Sequence, residues 1–299
     1  MKKLLKYIVL TLIGIIVIDL AMRPIFNRLF DNPPQSICHS YHFAYNKEQS
    51  DILILGASRA TRHYNSMMLI DSLGKTCFNA GQDGQPIYNQ YLNLLNSLQN
   101  GKVETVFLDL SSVQISDKWI TERLEPLVPF YWANDTVRAI IDNVSDKTLP
   151  PSVIYLSSLI QYNSQFQKFL RYFSPQDVYI FHGYIPLPYS GKEFKYKPLK
   201  ESSFTINDKG MEYLSRIASV CKKNNIDFYI IVSPSLRDCS LFYSYISDYC
   251  RENDIKFLNY SNLQSCIGDL RLWQDYDHMN SKGADIFTAE LIKYIKSQQ

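Results

Sequence analysis

The chain has 299 residues, 46% hydrophobic and 20% charged, with 22 Tyr, 16 Phe and 3 Trp. That composition supports a full core and excludes global disorder, and its length fits one large domain or two ordinary ones. A net charge of +2 is too small to point to a nucleic-acid binder, and it sums two unlike parts. Residues 1–30 carry Lys2, Lys3, Lys6, Arg23 and Arg28 against Asp19 alone, a net of +4, leaving −2 for the remainder.

Three lysines precede an apolar run from Tyr7 to Met22, broken only by Thr11, Gly14 and Asp19. Its length approaches the ~20 residues that cross a hydrocarbon core as a helix. The lysine flank predicts a cytoplasmic N-terminus and an exported remainder. A cleaved signal is the first alternative, but no A-x-A pattern follows; the next residues are Arg23-Pro-Ile-Phe26. A soluble core helix is the second. An uncleaved anchor over 1–30 is preferred, with Asp19 near its outer end where its charge reaches the interface.

Residues 31–50, with Asn32-Pro-Pro34, read as a linker. Export permits disulfides among Cys38, Cys77, Cys221, Cys239, Cys250 and Cys266. No compact spacing selects a pairing, and the apolar settings of Cys77 and Cys221 favour buried free thiols. Cys38-His39-x-x-His42 is a weak metal pattern without a fourth ligand, so no metal is expected.

From residue 51 onward strand and helix signals alternate. Asp51–Leu55 is a continuous apolar run ending at Gly56, as a buried parallel strand reads. Lys75–Phe78 is a weaker second strand. Pro86 then opens a helix with Ile87, Tyr91, Leu94, Leu95 and Leu98 at helical spacing. Val103–Leu110, Asp227–Val232 and Ile255–Leu258 supply three more strands. Helices precede the last two, around Met211–Cys221 and Leu241–Cys250, and a final one runs from about Lys282 to Ile295. This alternation predicts an α/β domain over 51–299, a parallel sheet with helices on both faces. Residues 111–206 break the rhythm with helical patterns over 153–173 and an aromatic stretch over 179–189. They read as an insertion after the third strand, lying over the carboxyl edge of the sheet where ligands bind.

The first strand ends in Gly56-Ala-Ser-Arg-Ala60. A serine at such a turn sits at the sheet's carboxyl edge beside a helix N-terminus, which suits an acylated nucleophile. Alone, it reads equally as a turn or helix cap. Near the C-terminus, Asp275-Tyr-Asp-His278 precedes the closing helix. His278 can take the serine proton if Asp275 folds back to hold its other ring nitrogen. Asp277 is the alternative partner.

With these residues in hand, the chain resembles the SGNH (GDSL-like) hydrolase superfamily, which has a flavodoxin-like three-layer α/β/α sandwich. The resemblance spans about residues 50–297 around the insertion. It implies a triad of Ser58, His278 and Asp275, with Ser58 and Gly81 giving backbone N–H groups to an oxyanion hole. The third family block, Gly-x-Asn-Asp, is replaced by Leu108-Asp-Leu-Ser-Ser112, so the side-chain amide donor is missing and only Ser111 or Ser112 offers a hydroxyl there. With the anchor and insertion, this departure looks like membrane-anchored relatives that handle acyl groups on envelope polymers.

Arg59 and Arg62 are candidates for holding an anionic substrate, with His63 nearby, though all three also suit a helix surface. Gly81-Gln-Asp-Gly84 resembles a phosphate loop only superficially, and neither nucleotide fingerprint occurs, so no cofactor is expected. The aromatic stretch 179–189 suits sugar stacking or, better, insertion core. Ser233-Pro-Ser235 borders the same edge as a turn. The expectation is a membrane-tethered extracytoplasmic serine esterase or O-acyltransferase. Its substrate would be an acylated glycan or lipid-linked envelope polymer, with a membrane acyltransferase as a further partner. The competing expectation is a non-catalytic envelope protein using the same cleft for glycan binding or assembly.

Overall fold

The computed structural model describes residues 1–31, 33, 38, 41–165, 180–197 and 204–298. His39, Tyr179 and the C-terminal part of the helical pattern over 153–173 lie outside them. The elements run α1 (Lys2–Asp31), α2 (His42–Tyr45), β1 (Ile52–Gly56), α3 (Ser58–His63), α4 (Ser66–Leu73), β2 (Cys77–Asn79), α5 (Ile87–Asn100), β3 (Thr105–Asp109) and α6 (Asp117–Glu122). They continue as α7 (Asp135–Val144), α8 (Pro151–Ile154), α9 (Ser158–Tyr162), α10 (Asp208–Lys223), β4 (Asp227–Val232), α11 (Ser240–Glu252), β5 (Lys256–Asn259), α12 (Gln264–Ile267) and α13 (Ser281–Ser297).

The chain divides into two compact units, one comprising Met1–Tyr41 with Leu124–Asp177, the other His42–Arg123 with Val178–Gln299. The second holds a parallel five-stranded sheet in the order β2-β1-β3-β4-β5. β1 is buried along its length, which is why it reads as an unbroken apolar run. Strand order reverses at β1, so the β1 and β3 carboxyl ends frame the crevice where parallel α/β sheets bind ligands. One core cluster joins Ile52, Ile54 and Phe107 to Leu69 of α4 and Phe287 and Leu291 of α13.

Within the stretch read as linker, α2 packs on α5, and Asn96 Nδ2 donates to the carbonyls of His42 and Asn46. Residues 180–197, on the return leg of the inserted segment, form a strap over this unit. Asn79 N–H donates to His182 O, Ile185 N–H to Thr61 O, Ser281 N–H to Leu187 O and Phe194 N–H to Leu270 O. The strap passes so close to β2 that a Cβ on Gly183, where φ is +84°, would lie 1.8 Å from Asn79 O.

In the first unit, α1 is long and apolar enough to cross a membrane. Its C-terminal half packs on α9: Phe26 stacks on Tyr162 with ring centroids 4.8 Å apart, and Phe30 meets Phe130 edge-on at 5.7 Å. All six cysteines are free thiols.

Candidate active site

β1 delivers Ser58 as the first residue of α3, where Ala57 is the N-cap. The serine therefore does not cap the helix, and its hydroxyl faces the C-terminal loop. That loop is a tight reversal in which Gln274 N–H donates to His278 O and Trp273 pairs with Met279. Asp275 Oδ1 accepts the N–H groups of Asp277 and His278 at 2.8 and 3.0 Å, the local fold-back that short acidic side chains favour. The same carboxylate lies 2.9 and 3.0 Å from His278 Nδ1, and His278 Nε2 lies 2.7 Å from Ser58 Oγ. With Asp275 accepting at Nδ1, that nitrogen carries the proton and Nε2 accepts from the serine hydroxyl. Burial alone would raise the Asp275 pKa, but the His278 ring and two backbone N–H groups outweigh it and hold it below its usual 3.8.

The structure thus brings Ser58, His278 and Asp275 into one hydrogen-bonded line. Asp277 does not compete for the histidine, because both its oxygens accept from Arg237 Nε at 2.7–2.8 Å. A cavity of about 540 Å³ opens over Ser58 and His278, with Ser111, Ser112, Trp119 and Tyr243 among its walls. A second cavity, of about 620 Å³, adjoins it and shares Ser235, Arg237, Cys239 and Tyr243. Burial pushes the Cys239 thiol up, so this cysteine is a poor thiolate nucleophile beside Ser58.

Gly81 requires a correction. Its N–H donates to Asn79 Oδ1 at 3.0 Å and is not free for an oxyanion. A Cβ there would lie 2.7 Å from both Ala60 Cβ and Thr61 N, so the glycine serves close packing of β2's exit against α3. The backbone N–H groups of Ser58 and Arg59, in the first turn of α3, lack an intrahelical acceptor. Ser111 and Ser112 reach the cavity as the sequence placed them, although Ser111 N–H is held by Gln114 Oε1.

The two arginines part company. Arg62 binds Asp83 at 2.7 Å and Ile185 O at 3.1 Å, and is not among the residues lining the cavity. Arg59 lines the cavity wall but is buried, its Nε and Nη2 donating to Asp109 Oδ1 and Leu110 O at 3.0 and 2.9 Å. Burial opposes the charge on Arg59, and neighbouring Asp109 more than restores it. Asp109 Oδ2 also accepts from Tyr64 OH and Ser233 N–H. Ser233 Oγ meets His63 Nδ1 at 2.9 Å, while His63 Nε2 accepts the Met279 N–H at 3.0 Å. His63 is therefore the Nδ1–H tautomer. Burial first, with Arg59 and His278 adding, holds its pKa well below 6.5, so the ring is neutral.

Sequence reading did not foresee the Arg59–Asp109 pair, the Arg237–Asp277 pair or the structural role of His63. The signal for the first was Asp109 at the buried end of an apolar strand, a position that demands a cation or several donors. Among the described residues, no group of three or more His, Cys, Asp or Glu side chains is placed to hold a metal ion.

No protein-family model and no curated protein sequence matches the chain. Among solved structures it is similar to a GDSL-like lipase from Bacteroides thetaiotaomicron, at 12% identity and a TM-score of 0.42 over 89% of this chain and 98% of that one. It is likewise similar to an acetyl xylan esterase, at 12% identity and a TM-score of 0.42 over 82% of this chain and 98% of the other. At such identities these likenesses carry neither a reaction nor a substrate to this chain.

Proposed function

We propose that the protein is a membrane-tethered, extracytoplasmic serine esterase or O-acyltransferase acting on an acyl ester of an envelope glycan or lipid-linked polymer. The observation that carries the reading is the line from Ser58 Oγ through the His278 ring to Asp275, each link 2.7–3.0 Å long. In this reaction Ser58 Oγ bonds to the ester carbonyl carbon while His278 Nε2 takes the hydroxyl proton. The tetrahedral adduct collapses by breaking the bond to the alcohol oxygen, which leaves with the proton from His278. Asp275 keeps the ring oriented and stabilises its charged form. Water or a sugar hydroxyl then attacks the acyl-serine, giving its proton to His278, and serine is regenerated with hydrolysis or transfer as the outcome.

The oxyanion faces the first-turn N–H groups of α3 and the serine-lined wall at 111–112. A missing side-chain amide removes roughly 3 kcal/mol of transition-state stabilisation. The two adjoining cavities suit an elongated molecule, with the ester at Ser58 and the polymer toward Arg237. The lysine flank of α1 supports an inside N-terminus, and tethering suits a membrane acyltransferase as donor.

Ser58→Ala is expected to abolish fluorophosphonate labelling and lower acyl-ester turnover by roughly 10⁴-fold or more, measured on the full chain in detergent. Equal labelling of both proteins overturns the assignment. A second reading, a non-catalytic glycan-binding or assembly protein, draws support from the engaged Gly81 N–H. It predicts glycan binding that survives Ser58→Ala and His278→Ala, with no acyl-enzyme by mass spectrometry.

A further inference from the structure

The first unit carries an apolar surface that no part of the proposed chemistry uses. Leu149, Val153, Leu156 and Ile160 recur at spacings of four, three and four residues, and each is more than half exposed. Trp132, about half exposed, belongs to the same unit and donates its indole N–H to Tyr155 O, between Val153 and Leu156. For a chain in water four such exposed side chains within twelve residues are costly, and exposed apolar patches mark interaction sites.

Its attachment to α1 identifies the occupant. Asp19 Oδ1 accepts from Ser157 Oγ, Ser158 Oγ and Leu159 N–H at 2.8, 3.1 and 2.8 Å, so the start of α9 is fixed to α1 at that level. Four residues on, Arg23 donates to Leu156 O, and Tyr162 OH donates to Asn27 Oδ1 at 3.0 Å. If the apolar run enters the hydrocarbon at Tyr7, Asp19 lies about 18 Å along the helix at 1.5 Å per residue. A hydrocarbon core of about 30 Å then extends roughly 12 Å beyond it, which sets Asp19 deeper than the interfacial position expected from the sequence. The N-terminus of α9 is held at that depth with Asp19. Polar side chains at such depth persist when they bond one another, and Asp19, Arg23 and Asn27 each do so within this unit.

We propose that residues 149–160 form a membrane-docking surface. Val153, Leu156 and Ile160 enter the outer leaflet beside α1, and the occupant of the stripe is lipid acyl chain. The apolar side chains of α1 from Leu4 to Ile25 are exposed as well, and the Asp19 bonds tie the start of α9 to that helix. The proposal rests on the reading of α1 as a membrane span. It gives the protein a second, shallower contact with the bilayer besides its anchor and assigns Asp19 a structural task inside the membrane.

The test uses the full chain reconstituted in phosphatidylethanolamine–phosphatidylglycerol vesicles. Nitroxide labels are attached at Leu156→Cys and Ile160→Cys, with Ile13→Cys on α1 and Lys223→Cys on α10 as references. The signal of the unsubstituted chain, treated identically, is subtracted for its native thiols. Expected is several-fold greater accessibility to oxygen than to a water-soluble nickel chelate at 156 and 160, as at Ile13, and the reverse at Lys223. Nickel accessibility at 156 and 160 with Ile13 in lipid overturns the docking surface and leaves the anchor standing. Nickel accessibility at Ile13 overturns the anchor itself. Shielding of 156 and 160 from both reagents means that protein covers the stripe, which also overturns the proposal. Val153→Cys repeats the measurement if either substitution prevents folding.

Discussion

Two carboxylates that each gather several donors are satisfied in opposite ways. Asp109, with its side chain only 2% exposed, faces a full cation, Arg59, and adds Tyr64 OH and a backbone N–H. Asp19, set in an apolar helix, has only neutral donors: two serine hydroxyls and the Leu159 N–H. The first arrangement neutralises charge beside a reactive serine and pins α3 to the end of β3. The second leaves a net charge and joins segments 140 residues apart in the chain. Where geometry must be held for chemistry, the protein uses an ion pair. Where two helices need only be joined, neutral donors suffice.

That contrast can be broken at either end. Asp109→Ala strands a buried guanidinium and is expected to cost about 3–5 kcal/mol, read as a lower Tm of the full chain in detergent. The double variant Asp109→Leu with Arg59→Met should recover much of it, since no buried charge is left alone. Asp19→Leu deprives Ser157 Oγ and the Leu159 N–H of their acceptor, while Ser158 Oγ keeps the Asp19 carbonyl at 2.7 Å, and is expected to cost about 1–3 kcal/mol. The Leu159 amide should lose hydrogen-exchange protection, whereas Asp19→Asn, which keeps one acceptor oxygen, should lose less. If the two sites respond alike, the distinction between ion pair and dipoles is wrong.

His63 sharpens the comparison at smaller amplitude, because it extends the Asp109 network by a neutral ring. Its folded pKa lies well below 6.5, so on acidification the unfolded chain takes up the proton first. The stability this ring contributes is complete above pH 6.5 and is lost as pH falls toward its folded value, by up to about 1.4 kcal/mol per pH unit. His63→Asn should flatten the dependence of Tm on pH between 6.5 and 5. An unchanged slope would show that the ring is not buried neutral.

The sheet was legible because its signals are local. The apolar run at 51–55 and the run at 227–232 became β1 and β4 within a residue, and the spacing after Pro86 became α5. Asp275 folding back on His278 was legible for the same reason, being a three-residue relation. What sequence could not supply is where a side chain or N–H finds its partner. Gly81 keeps the family-like position, yet Asn79, two residues before it, consumes its donor. Arg59 and Arg62 are alike on paper and part because α3 turns one toward Asp109 and the other toward Asp83. The exposed stripe over 149–160 was hidden because its helices are single turns, too short for periodicity to declare them.

The strap at 180–197 bears on modularity. Its return path is hydrogen-bonded to α3, β2 and α13, and Lys197 N–H and O both meet Tyr276 OH inside the loop that carries Asp275 and His278. The segment between β3 and β4 thus has two parts that are held differently. Residues 124–165 belong to the first unit and bond to α1 there. Residues 180–197 cannot be excised with them, because Gly183 admits no side chain against Asn79 and the His278 loop would lose its outer brace. A minimal version of this domain must keep the second half of its own insertion.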